Sequence, residues 1–306
     1  MNNNWHTGIA THQGTKKERN EDSFLTRFSK DTKDNEIAMF VVADGMGGYQ
    51  VGDTASCLAI ETLDKWWNKR IGRILKKKNV IEQFVKEAEK VLSKINKAII
   101  TVSNHTGKKM GTTVTLLVMY MGHYGVIHIG DSRVYQMKGL NQELVPYLQQ
   151  VSEDMLYHQQ TQILEMEPEL LQLTEDHSWV EKQVKKGNLS REEARNHPKR
   201  NVLLQCLGIE KQIEPYTKTG KYHTDDIFLL CSDGFYSLFP NEEIKNMLLS
   251  LEKEYGNLQS ICDYLINFSN FSNAHDNITL MLVRHVRVEH VQSKRSKTWL
   301  PILGNN

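Results

Sequence analysis

The chain has 306 residues, with 38 Lys and Arg against 37 Asp and Glu and a formal net charge of +1. This balance excludes a general attraction to nucleic acid or to an anionic membrane, so charge must act locally. Hydrophobic residues make up 39%, enough for a sizeable core in one large domain or two modest ones.

The opening MNNNWHTGIATHQG has no basic region followed by an apolar one, so it does not read as a signal peptide. No apolar run approaches the ~18 residues that cross a bilayer. The four cysteines, Cys57, Cys206, Cys231 and Cys262, never form a C-x-x-C pair and read as free, mostly buried thiols. Such thiols fit a reducing, cytoplasmic compartment.

In chain order, the charged run Lys16–Asp22 (KKERNED) precedes a short strand, Ser23–Phe28. The apolar run Ile37–Ala43 reads as a buried strand ending at Asp44-Gly45. Thr54–Trp67 and Val80–Val102 carry apolar residues at helical spacing. Thr112–Met121 and Gly125–Ile129 flank Gly122-His123-Tyr124, which predicts a hairpin. Leu140–Leu171 is rich in Gln and Glu and reads as an inserted helical or mobile element. Ser190-Arg191-Glu192-Glu193 is a capping box that starts a short helix, and His197-Pro198 ends it. Asp226–Cys231 and Ile278–Val283 read as strands, with helices at Glu242–Leu251 and Leu258–Phe268. After Val283 the chain is basic, then briefly apolar, and most of it reads as a frayed end, with docking of a partner as the alternative. Strands and helices do not alternate regularly, so antiparallel sheets covered by helices fit better than a doubly wound parallel sheet.

Four aspartates stand at strand ends: Asp44 after MFVVA, Asp131 after VIHIG, Asp233 after FLLCS and Asp276 before NITLML. A lone Asp-Gly after a strand is usually a turn. Four such carboxylates brought together would repel one another, and a bound cation relieves that repulsion. The donors are all oxygens, which suits Mg2+ or Mn2+ and argues against zinc. Gly45-Met46-Gly47-Gly48 is not a P-loop, because no Gly-Lys-Ser/Thr follows.

Read together and in order, KKERNED, VVADGMGGYQVGDTAS, MGTTVTLLVM, HIGDSRVY, LTEDHSWV, NHPKRNVLLQCLG, DIFLLCSDGFYSLF and HDNITLMLV closely resemble the metal-dependent protein phosphatases of type 2C, in their bacterial serine/threonine form. The resemblance runs from about Gly8 to Val283. It implies an α+β fold: a central sandwich of two antiparallel β-sheets flanked by α-helices. It also implies one catalytic domain over residues 1–285, with an insertion at about 140–171, a flap at about 177–207 and a C-terminal tail at 286–306.

The resemblance implies two Mn2+ or Mg2+ ions at the core site. Asp44 bridges them, Asp233 and Asp276 complete one site, and the Gly45 carbonyl serves the other. Glu21 and Asp22 act mainly through water, and Asp131 holds a third, weaker ion. Asp44, Asp233, Asp276 and Lys17 then carry the reaction, a direct hydrolysis of phosphoserine or phosphothreonine by metal-activated water. Lys17 and Arg19, with Lys199 and Arg200 of the flap, are the candidate substrate contacts. Lys17 stands where relatives usually have arginine, so it keeps the charge but lacks the bidentate fork. Met46 stands where some relatives have a histidine acid, leaving a metal-bound water as the expected proton donor. The implied partners are phosphorylated proteins and an opposing serine/threonine kinase, and the expected state is a monomer. Two alternatives are a phosphatase-like binding module without catalysis and a phosphatase of a small partner-switching regulator.

Overall fold

The computed structural model describes residues 4–47, 52–138 and 168–286. Most of the 140–171 insertion, Gly48 to Val51 and residues 287–306 lie outside them. Twelve strands among the described residues form two five-stranded sheets and one small pair.

Strand β3 (Glu36–Ala43) shows how the sequence builds the layers. Ile37, Met39 and Val41 point one way and Ala38, Phe40 and Val42 the other, and all are fully buried. A strand covered on both faces reads as a continuous apolar run rather than an alternation. One face of β3 packs against helices α1 (Gly52–Ile74) and α2 (Val80–Thr106). The other face meets the second sheet through Phe40, Met119, Val126, Phe228, Leu230 and Met281.

The first sheet has the order β10 (Tyr216–Lys221), β7 (His123–Ile129), β6 (Val114–Tyr120), β3 and β2 (Ser23–Lys30). The second runs β1 (Trp5–His12), β12 (Ile278–His285), β11 (Ile227–Cys231), β8 (Arg133–Met137) and β9 (Leu170–Gln172). All pairings in both sheets are antiparallel. Helices α6 (Asn241–Tyr255) and α7 (Leu258–Phe271) cover the outer face of the second sheet through Leu248, Ile261 and Leu265. The result is a four-layer sandwich with helices outermost, as expected.

Several boundaries differ from the sequence reading. The expected strand Thr112–Met121 is two: β5 (Met110–Thr112) pairs with β4 (Gly45–Gly47), and β6 begins at Val114. The hairpin turn lies at Met121-Gly122, both with positive φ (47° and 74°), so His123 already belongs to β7. A two-residue turn of this hand matches the twist of the paired strands. The inserted segment was read as running through Leu171, yet Leu170–Gln172 form edge strand β9 against Tyr135–Met137. β1, β8 and β10 escape apolar periodicity. β10 (YTKTGK) is a polar edge strand with every second residue exposed, held by its ladder to β7 rather than by burial. The flap contains two short helices, α3 (Trp179–Lys185) and α4 (Arg191–Asn196). Ser190 caps α4 in the expected box with Glu193. Cys206, Cys231 and Cys262 are buried free thiols, whereas Cys57 is exposed.

Candidate active site

Four of the implied residues come from two adjacent strand ends of one sheet and the loop beside them. β3 ends at Asp44, whose backbone is clamped from both sides. Its N–H donates to Thr113 Oγ1 at 2.9 Å, while its carbonyl accepts from the Thr113 N–H at 2.9 Å and from Thr112 Oγ1 at 2.9 Å. Glu21 and Asp22 stand just before β2, the neighbour of β3. Gly45 donates its N–H to the Glu21 carbonyl at 3.2 Å. A Cβ on Gly45 would lie 2.3 Å from the Gly52 carbonyl oxygen and 2.5 Å from that of Glu21, so only glycine lets the three segments close.

The crossover from β7 to β8 and the second sheet supply the rest. Asp131 follows β7 through Gly130, whose φ of +115° is a glycine conformation. The Gly130 carbonyl accepts from the His177 N–H at 2.7 Å and lies 2.9 Å from His128 Nε2, which fixes the turn that presents Asp131. Asp233 opens α5 (Asp233–Tyr236), the single turn after β11, and Asp276 precedes β12.

Asn277 was not among the sequence candidates, yet it ties these parts together. Its side-chain amide donates to the carbonyls of Gln13 at 2.9 Å and Arg19 at 2.8 Å, and its side-chain oxygen accepts from the Glu21 N–H at 2.9 Å. The asparagine beside Asp276 therefore positions the Lys16–Asp22 loop. The Asp-Asn pair before a buried strand was the available signal, and its partners, more than 250 residues away, were not. Ser232 plays a similar part: its hydroxyl donates to Asp22 Oδ2 at 2.8 Å and accepts from the Thr279 N–H at 2.9 Å.

The electrostatics are those of crowded anions. Burial and the charges of Asp22, Asp233, Asp131 and Asp276 push the Asp44 carboxyl well above the usual range. Burial, Asp233 and Asp276 push Asp22 up to about 7. Burial, then Asp276, pushes Asp233 up to about 6, against a side-chain hydrogen bond with Asp44 that lowers it. Asp131 is raised by burial, Asp233 and Asp176. Asp22 Oδ1 is buried and has no hydrogen-bond partner among the described residues. An orphaned carboxylate oxygen amid mutually repelling carboxylates fits a divalent cation, and the all-oxygen donor set fits a hard one. Among the described residues no three acidic, His or Cys groups already close into one ion cage. An all-oxygen donor set of this kind suits hard ions that keep water among their ligands.

The basic candidates divide. Lys17 lies at the site, with its Nζ 2.7 Å from Asp276 Oδ1. Its own burial opposes the charge, but Asp276, Asp44 and Glu21 together hold its pKa above the ordinary lysine value. Arg19 pairs loosely with Asp53 at 3.8 Å and is largely exposed. Lys199 sits over the Trp179 ring, 4.8 Å from its centroid, and does not line the cleft cavity. Arg200 does line it, in a cavity of about 580 Å³ that also contains Asp131, Asp233 and Arg133.

Arg133 is a further residue the sequence did not single out. Its guanidinium grips Asp176 through Nε at 3.0 Å and Nη2 at 2.7 Å, donates to the Tyr135 hydroxyl at 2.9 Å, and lies 3.6 Å from the Tyr236 ring centroid. This buried pair fastens β8 to the segment that opens the flap.

Comparison with known proteins agrees with this geometry. Residues 10–269 match the family described as Protein phosphatase 2C. The chain is 31% identical over 280 residues to the serine/threonine phosphatase stp of Listeria monocytogenes, covering 91% of this chain and 95% of that protein. It is 29% identical over 279 residues to the protein phosphatase PhpP of Streptococcus pneumoniae, covering 90% and 95%. Among solved structures, the Mycobacterium tuberculosis serine/threonine phosphatase PstP/Ppp superposes with a TM-score of 0.70 at 23% identity, over 92% of this chain and 99% of that one. The catalytic domain of PstP solved with two manganese ions superposes at 0.68, also at 23% identity, over 92% and 99%. The family match spans most of the chain, taking in the positions of Glu21, Asp22, Asp44, Asp131 and Asp233, and this chain belongs to the protein phosphatase 2C family.

Proposed function

We propose that the chain is a metal-dependent protein phosphatase that hydrolyses phosphoserine and phosphothreonine, and that it opposes a serine/threonine kinase. The observation that carries this reading is the cluster of Asp22, Asp44, Asp131, Asp233 and Asp276. Their charges raise one another's pKa values, and one buried oxygen of Asp22 has no partner. A fold that keeps such a cluster carries a standing electrostatic cost, which bound cations remove. The relatives named serine/threonine phosphatase and the two manganese ions in PstP support the same reading.

We assign Asp44, Asp233 and Asp276, with Asp22, Glu21 and the Gly45 carbonyl, to holding two Mn2+ or Mg2+ ions, and Asp131 to a third, weaker site. When bound, such ions generate a nucleophile from water near neutral pH and neutralise charge on the phosphoryl group. The remaining work falls to the chain. Thr112 and Thr113 fix the Asp44 backbone, so its carboxylate reaches the cleft in one orientation. Ser232 fixes one oxygen of Asp22 and turns the other into the site. Lys17, anchored by Asp276, is the cation we assign to the phosphoryl oxygens, and Arg200 lines the cavity from the flap. Met46 cannot donate a proton, so a water held at the metal site would be the donor to the leaving oxygen.

The test is hydrolysis of p-nitrophenyl phosphate and of a phosphothreonine peptide with Mn2+, with Mg2+ and with chelator. Activity that requires metal and is lost in Asp44→Asn supports the proposal. Folded protein with no activity under any of these conditions would instead leave the binding-module reading.

A further inference from the structure

Helices α6 and α7 leave a groove on the outer face of the molecule, about 610 Å³ in volume. Its floor is apolar, with Met247, Leu251, Tyr264 and Phe268. The aromatic rings continue as a ladder: Tyr264 stacks on Phe268 at 6.1 Å, and Phe268 on Phe239 at 5.5 Å. Tyr264 is 41% exposed, and Phe271, two turns further along the same side of α7, is 89% exposed. Large aromatic rings are rarely left bare in a row unless something covers them.

The rim of the groove is acidic. Glu242 pairs with Lys245, so Glu243 and Glu254 are the rim carboxylates that face outward. Arg195, which lines the neighbouring cavity, acts on Glu243, but its guanidinium is hydrogen-bonded to the Ser237 carbonyl. Glu254 also interacts with the neighbouring Tyr255 hydroxyl. An occupant of this surface should therefore carry positive charge next to large apolar side chains.

Residues 287–306 have that composition. Lys294, Arg295 and Lys297 are followed, after Thr298, by Trp299-Leu300-Pro301-Ile302-Leu303. The point from which they depart also suits the groove. Arg284, near the end of β12, is ion-paired with Glu252 of α6, one residue from Leu251 and two from Glu254. From Val286, Trp299 is thirteen residues on, an extended reach of up to about 45 Å. The fifteen residues of α6 span only about 22 Å, so the whole groove is within reach. A tethered segment meets its site at an effective concentration near the millimolar range, so a shallow groove suffices.

We propose that residues 287–306 dock in cis onto the α6–α7 groove, with the Lys294–Lys297 cluster against Glu243 and Glu254 and the Trp299–Leu303 segment on the aromatic floor. Pro240 lines both this groove and the cavity that holds Asp131 and Asp233. A docked segment would therefore lie against the edge of the phosphatase cleft, although the docking itself does not depend on catalysis.

Zero-length carbodiimide crosslinking of the full-length protein, followed by peptide mapping, tests the proposal. Crosslinks joining Lys294 or Lys297 to Glu243 or Glu254 are expected within single molecules, at a yield independent of protein concentration. Chymotryptic cleavage after Trp299 of the native protein should be about tenfold faster in the E243K/E254K variant, because cleavage tracks the open population. The K294E/K297E variant, which leaves the groove untouched, should speed that cleavage likewise. Combining the two charge reversals should restore slow cleavage and bring back intramolecular crosslinks between the exchanged charges, an outcome that a folding defect cannot produce. Crosslinks found only between molecules would assign the groove to a second copy and overturn the proposal. Cleavage rates unchanged by either variant would overturn it too.

Discussion

Asp22 gives one carboxylate oxygen to Ser232 and keeps the other buried without a partner, next to Asp233 and Asp276. At the scale of single residues the site is thus defined by what it leaves unsatisfied. Asp44 sits at its centre, repelled by four other aspartates. Replacing it with asparagine should lower turnover by at least about 100-fold, more than the loss of an outer-shell partner costs. The same change should raise the melting temperature of chelated protein, because one repelling carboxylate is gone. An assay with p-nitrophenyl phosphate and a thermal melt check both halves, and a lower melting temperature would contradict the repulsion argument. Arg133 presents the opposite case, a largely buried charge whose three guanidinium nitrogens each donate a hydrogen bond. Arg133→Lys keeps the charge but loses the fork to Asp176 and the stacking on Tyr236, and should cost about 2 kcal/mol in urea unfolding. Sequence reasoning found Asp44 because its residue type and strand-end position carry the signal. It passed over Arg133 because an arginine in a strand looks the same whether it faces solvent or a buried carboxylate.

Among the elements, the flap helices contrast with the core helices. α2 buries Phe84, Leu92, Ile95 and Ile99 against the sheet, so its stripe was legible from periodicity alone. α4 has six residues and buries only Ala194, so its stability rests on the capping box. Ser190 accepts from the Glu193 N–H at 3.1 Å, while Glu193 accepts from the Ser190 N–H at 2.7 Å. Ser190→Ala should cost about 1 kcal/mol of local stability. Amide exchange over residues 191–196 should quicken about fivefold while the global unfolding transition stays in place. A shift of the whole transition would mean that the flap is coupled to the core more tightly than its burial indicates. β10 marks the limit of pattern reading among strands: its sequence is polar, and only the ladder to His123–His128 makes it a strand.

Over the whole molecule, the two sheets bring aspartates separated by more than 230 residues into one cleft, and the fold carries their repulsion. The raised pKa values set the sign of a pH effect. The unfolded chain releases its carboxyl protons near pH 4. The folded chain holds those of Asp22 and Asp233 up to about 7 and about 6. Between these values the native state binds more protons than the unfolded one, so stability falls as pH rises. His128, which burial holds down to about 3, gives the opposite slope, so the carboxylate effect is read against Asp233→Asn. Relative to that variant, chelated wild-type protein should lose melting temperature from pH 4 to pH 7, and Mn2+ should restore it most at the upper end. Chelated wild-type protein that gains stability relative to the variant over this window would show that the carboxylates are not crowded as described. Among the described residues no helix is long and apolar enough to cross a membrane.

The sequence by itself determined the elements buried on both faces, the all-oxygen donor set and the four strand-end aspartates, because each is written in local residue type and spacing. The tertiary structure alone decided that β1 pairs with β12, that Asn277 anchors the Glu21 loop, that Lys17 rests on Asp276 and that an acidic aromatic groove lies beside the end of β12. Those features depend on hydrogen bonds and contacts between residues far apart in the chain, and no local pattern of polarity encodes the partner at the other end.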